Sequence, residues 1–269
     1  MRITNLTLPI LAFLINAAPV AAHFQVLLPT TDIVSTPAER ELKFDIRFTH
    51  PMEAGPVMAM GQPKRFGVVA AGQQQDLTAR LQPRLLEGQQ AFQATFQAQR
   101  PADYVFFIEP APYWEPAERK MIIHYTKVVV DAYDAGAGWD AAVGLPVEII
   151  PLTRPYGLWT GNLFRGIVMK NGQPEPFAEV EVEYYNVDRA VSIPADPYAT
   201  QVIRADANGV FAYAMPRAGW WGFAALIDGD RKMANPQGEP VEVELGGLIW
   251  IRTRDMSDNP GQSGEQHDH

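Results

Sequence analysis

Apolar and polar residues alternate one for one in "ELKFDIRF" (41–48). Leu42, Phe44, Ile46 and Phe48 fall on one side of an extended chain, and Lys43, Asp45 and Arg47 on the other. A period of two is the pattern of a strand with one buried face; a helix would scatter the same residues around its axis. Comparable short stretches follow at "QAFQATFQA" (90–98), "DYVFFIE" (103–109) and "KMIIHYTKVVVDAY" (120–133), bounded by turn-forming residues. The best helical candidate is "QQQDLTARLQPRLL" (73–86), which Pro83 cuts short. With 23 prolines and 21 glycines as punctuation, the pattern predicts an all-β chain.

The punctuation thickens at "PLTRPYGLWTGN" (151–162), and a second series of strand-like segments begins beyond it. "GNLFRGIVMKNGQPEPFAEVEVEYYN" reads as a strand, an Asn-Gly turn and a strand in which Val180, Val182 and Tyr184 face away from Glu179, Glu181 and Glu183. "DANGVF" and "GWWGFAALID" complete an order that resembles the small transthyretin-like or carboxypeptidase-regulatory-like sandwich. The expectation is two immunoglobulin-like or transthyretin-like β-sandwich domains in tandem, over 23–152 and 153–254. The tail 255–269, with little to bury, is expected to be disordered.

Residues 1–22 carry Arg2, an uncharged apolar run and the small residues Val20 and Ala22, the pattern of a secretory signal peptide cleaved after Ala22. Pro9 and Asn16 interrupt that run before it reaches the ~20 residues of a spanning helix, and no later stretch is long enough. The chain is therefore expected to be exported and, after cleavage, without a transmembrane segment. A net charge of −9 speaks against nucleic acid as a partner. With no cysteine, any metal site must be built from nitrogen and oxygen, with methionine sulfur as the one soft addition.

Cleavage after Ala22 would make His23 the first residue, its α-amine and Nδ1 poised to chelate one ion. The amine's ordinary pKa of about 7.7–8.0 lets a divalent metal displace the proton near neutrality. His50 continues the apolar parity of 41–48 into "HPMEAGPVMAM", placed either to enter a pocket or to bond a loop carbonyl. His124 shares a strand face with Ile122, Thr126 and Val128, so it needs a partner, either a metal or a hydrogen bond. Met52, Met58 and Met60 fit core packing or a soft ion such as Cu(I); His267 and His269 fit a solvated tail or loose metal scavenging. "IEPAPYWEPAERK" (108–120) is a proline-stiffened loop that covers a sandwich end or walls a pocket. No nucleophile–base or paired-carboxylate arrangement stands out, and "GQSG" and "GAG" lack the context of a phosphate loop, so the chain is expected not to be an enzyme.

Five stretches, "AHFQVLLPTTDIV" (22–34), "FTHPMEAGPVMAM" (48–60), "YVFFIEPAPYWEPAERKMIIHYTKVVVDAY" (104–133), "GWDAAVGLPVEIIPLTRPYGLWTGNLFRG" (138–166) and "GWWGFAAL" (219–226), resemble a family of exported proteins. That family is a domain of unknown function linked to periplasmic accessory components of energy-coupling-factor nickel/cobalt transporters. The resemblance implies periplasmic binding of Ni(II), with Co as the alternative, and delivery to a nickel/cobalt transporter in the cytoplasmic membrane; imidazole and amine ligands by themselves suit Cu as well. Carried over by position, His23 in "AHF", His50 in "THPME" and His124 in "IHYTK" are the metal ligands it implies, with Glu53, Tyr125 and Trp139 as neighbours. The residues alone leave open a copper brace, in a carrier or an oxygenase, and a metal-free envelope scaffold.

Overall fold

In the structure, a computed structural model describing residues 23–257, the regular secondary structure is β-strand apart from three short 3-10 turns. The signal peptide expected at 1–22 and the tail from 258 onward, with His267 and His269, lie outside the described residues. The all-β architecture of stacked sheets is the one the alternation predicts.

Three sheets build the molecule. One runs Phe24–Pro29, Glu41–Thr49, Gln89–Gln97 and Gln82–Leu86, all antiparallel. The largest runs Gln201–Arg204, Glu179–Tyr184, Gly219–Asp228, Pro240–Arg254, Lys120–Ala132, Ala102–Glu109, Arg65–Ala70 and Gln73–Asp76. The third centres on Leu163–Lys170, flanked by Val147–Pro151 and Val210–Ala214. The two halves of the sequence are joined edge to edge inside the large sheet, where Lys120–Val128 pairs in parallel with Glu242–Trp250.

The first sheet covers one face of the large sheet and the third sheet covers the other, giving two separate cores. Along Lys120–Ala132, Ile122, Val128 and Val130 enter the first core, while Met121, Ile123, Tyr125 and Val129 enter the second. Burial on both faces explains why this strand reads as a continuous apolar run instead of an alternation. Trp250 knits the layers: its ring meets Phe24 at 6.0 Å and its indole N–H donates to the Gln25 carbonyl at 2.9 Å. Complete burial of a side chain such as Phe24 stabilises the fold by about 1.5–3 kcal/mol.

Two local expectations are corrected. Residues 73–86 are not helical: Gln73–Asp76 and Gln82–Leu86 are strands on two different sheets, joined by a 3-10 turn at Thr78–Arg80. Pro83 lacks a backbone donor, and it sits on an edge strand where none is required. The Asn171-Gly172 turn does form, with both residues at positive φ, but its hairpin closes on Gln173–Pro174 alone. Glu179–Tyr184 leaves that sheet and pairs with Gly219–Asp228 in the large one.

Candidate functional site

Antiparallel pairing of Phe24–Pro29 with Glu41–Thr49 sets Phe24 opposite Thr49. One step further out, the same register brings His23 beside His50, and their ring centroids lie 4.6 Å apart. Phe48 stacks on His23 at 5.6 Å and meets His124 edge-on at 5.7 Å, so it packs against both rings. Tyr113 closes the other side, 6.0 Å from His23 and 5.0 Å from Phe48. The three histidines that the resemblance implies as ligands thus gather at one end of the first sandwich.

Two of them share a hydrogen-bonding pattern. His23 Nε2 lies 2.8 Å from Glu115 Oε2, and His124 Nε2 lies 3.2 Å from Glu244 Oε1. In the neutral ring a carboxylate partner holds the proton on Nε2 and leaves the Nδ1 lone pair available. Burial lowers the pKa of His23, and the neighbouring charge of His124 adds to this, while Glu115 opposes them. The net effect keeps the ring neutral, the form that coordinates metal.

His124 owes its seat to Gly246, its partner in the parallel register. A Cβ at 246 would land on His124 Cδ2, so any other residue there would displace the ring.

The same sheet face carries a row of carboxylates that sequence reasoning set aside as the polar side of a strand. Register through Ala224 and Leu248 to Thr126 places Glu181 on the face that bears His124. Burial, reinforced by the charges of Glu244 and Glu179, pushes the Glu181 carboxyl up to about 7. Burial pushes Glu183 to about 8, although its oxygens accept from Thr200 Oγ1 at 2.5 Å and from the Met52 N–H at 2.9 Å. Glu244 goes the other way: burial would raise it, but His124 and Lys120 together outweigh that and hold it at about 2. Lys120 bridges Glu118 and Glu244, each at 2.6 Å. The signal available in the sequence was "AEVEVE", three glutamates at strand spacing; what it lacked was the identity of the layer they face.

Glu183 also fixes the His50 loop. With Asn186, which donates its N–H to the Pro51 carbonyl at 3.1 Å and its amide to the Met52 carbonyl at 3.0 Å, it ties residues 51–52 to the second half of the chain. Met52, Met58 and Met60 pack into buried or half-buried positions, and Met60 also lines a small cavity beside His124. Glu53 lies near enough to Glu183 to help raise its pKa. Tyr125 and Trp139 pack toward the second core, on the other face of the sheet from His124. Among the described residues, no three His, Asp or Glu side chains converge on one point as a ready metal cage. His23 and His50 would supply two imidazoles to such a centre, and a third nitrogen would have to come from the His23 α-amine.

The profile of a family described as "Domain of unknown function (DUF4198)" matches residues 20–229. No curated protein is similar enough in sequence to match. Among solved structures, the D0-D1 domain of intimin is 10% identical over 86% of this chain and 100% of its own, with a TM-score of 0.24. E. coli alpha-2-macroglobulin is 11% identical over 87% of this chain and 14% of its own, with a TM-score of 0.23. A membrane-anchored protein from Corynebacterium diphtheriae is 11% identical over 87% of this chain and 60% of its own, with a TM-score of 0.22. Among the described residues, no helix is long and apolar enough to cross a membrane.

Proposed function

The chain belongs to the DUF4198 family, and we propose that it is an exported carrier that binds a divalent transition metal ion, nickel first, and passes it to a transporter in the cytoplasmic membrane. The observation that carries this reading is the pairing of His23 and His50, 4.6 Å apart, with the Nε2 of His23 anchored on Glu115. A carboxylate on the far ring nitrogen is the usual outer support of a histidine that ligates metal. Signal-peptide cleavage after Ala22 would free the α-amine of His23 beside its Nδ1, and the two together with His50 would offer three nitrogens. The remaining positions would stay open to water, which gives a carrier a side from which to release its cargo. Binding, not catalysis, is the role in this reading, and the periplasm is its place.

Of the three histidines, the proposal puts His23 and His50 directly on the ion. His124 reaches His23 through Phe48, and its charge state acts on His23 electrostatically. Copper is the second reading, because amine and imidazole nitrogens bind Cu(II) more tightly than Ni(II) at equal availability. Nickel leads on the resemblance to transporter accessory proteins. A metal-free envelope scaffold is the third reading, and it predicts no ion-dependent change at all.

The test is titration of nickel into the chain beginning at His23 and into its His50→Gln variant. The proposal expects one equivalent bound by the former and at least tenfold weaker binding by the latter. Identical isotherms would remove His50 from the centre and the carrier reading with it.

A further inference from the structure

On the other side of His124 lies a cavity that the His23–His50 pair does not explain. Gly246 packs against the His124 ring at Cγ, Cδ2 and Nε2, as the position of a Cβ there shows. Tyr113–Glu115 pairs with Lys120–Ile122 on the side away from Pro240–Arg254. There a cavity of about 20 Å³ is lined by Gln25, Phe48, Met60, Tyr113, Ile122 and His124, among others. His124 is 1% exposed, and its Nδ1 is buried with no hydrogen-bond partner. When the ring is neutral with its Nε2 proton toward Glu244, Nδ1 carries a lone pair, and leaving it unmet at such depth is costly. Something that accepts electron density is expected to meet it.

Beside the Gln25 amide and the Tyr113 hydroxyl, the lining holds two softer donors, the His124 imidazole and the Met60 thioether. Met60 is 7% exposed, and its sulfur takes only a long contact of 3.8 Å from the Gln25 amide, which also donates to the Arg47 carbonyl at 2.9 Å. The volume exceeds the roughly 10–15 Å³ that one small occupant requires. A hard divalent ion is disfavoured, because it would seek several oxygen ligands. One imidazole nitrogen and one thioether sulfur are the donor set of a soft monovalent ion.

We infer that the cavity between His124 and Met60 is a second metal site, for a soft monovalent ion of the Cu(I) or Ag(I) class, distinct from the nitrogen site at His23 and His50. Phe48 lies against His23 and also lines the cavity, so the two sites share a wall without sharing a ligand. The inference does not rest on the nickel reading.

Silver(I), a redox-inert probe, is added to the full processed chain carrying methyl-labelled methionine, and the Met60 methyl resonance is followed; Met60→Leu identifies the signal. This volume-conserving change is expected to keep the fold. The inference predicts that the Met60 resonance shifts and saturates at one equivalent, and that Met60→Leu binds silver at least tenfold more weakly while its nickel titration is unchanged. A Met60 resonance unmoved at one equivalent, or silver affinity equal in wild type and Met60→Leu, would overturn it and leave the cavity to a water molecule. Loss of nickel binding in the His50→Gln protein with silver binding retained separates the fate of this site from that of the first.

Discussion

Gly246 and His124 stand side by side in parallel register, and the imidazole occupies the volume that any side chain at 246 would fill. The backbone of one half of the chain thereby shapes a site whose histidine belongs to the other half. Gly246→Ala is expected to destabilise the protein by about 1–3 kcal/mol, as overpacking does in a core. The nitrogen–carboxylate contact to Glu244 should loosen with it. Chemical denaturation reports the first effect, and the His124 ring proton shifts report the second.

Glu115→Gln removes the carboxylate that holds the Nε2 proton of His23. The ring loses the group that opposes the burial-driven fall of its pKa, so that pKa should drop further. Loss of an outer-shell carboxylate commonly weakens metal binding about 10–100-fold. NMR titration of the His23 ring checks the first outcome, and nickel titration checks the second.

Glu183 supplies a pH dependence with a definite sign. Its folded pKa of about 8 lies above the ordinary 4.5, so the native state holds a proton that the unfolded chain releases. The stabilisation this gives is complete below about 4.5 and declines as pH rises through 8. Glu183→Gln mimics the protonated acid and can still bond Thr200 and Met52. The variant should match the wild type in stability near pH 5 and exceed it at pH 8, as measured by denaturation midpoints at the two values.

Lys127 and Glu148 form a buried ion pair at 2.7 Å in the second layer, with Lys127 1% exposed. Glu148 also accepts the backbone N–H groups of Val143 and Gly144, at 3.0 and 2.9 Å. Lys127→Met should cost about 3–5 kcal/mol because it leaves a buried carboxylate without its counter-ion. Adding Glu148→Leu should recover only part of that loss, since the Val143 and Gly144 N–H groups then lose their acceptor, the first of them buried. A double-mutant cycle by denaturation decides.

Much of this could be read from residue order, and the limits have physical causes. The parity of "ELKFDIRF" identified a half-buried strand, and continued outward it pointed His50 at the strand end where His23 begins its neighbour. Parity gives a face but not the partner layer, so the side shared by Glu179, Glu181 and Glu183 carried no sign that Glu183 is 2% exposed. The parallel pairing of Lys120–Val128 with Glu242–Trp250 spans more than a hundred residues and leaves no local mark. For the same reason "LGGL" looked unremarkable although Gly246 makes room for His124. The apparent helix at 73–86 fails because its two ends pair as strands on two separate sheets, while Leu77 and Leu81 between them pack on the first core.

A metal site made by a processed terminus is sensitive to a single residue placed before His23, and calorimetry reads that sensitivity. Nickel is titrated into protein that begins at His23 and into protein that carries one additional alanine before it. The account predicts tight one-to-one binding in the first and a loss of at least a hundredfold in the second, because the extra peptide bond removes the amine ligand. Equal binding by both proteins would contradict it.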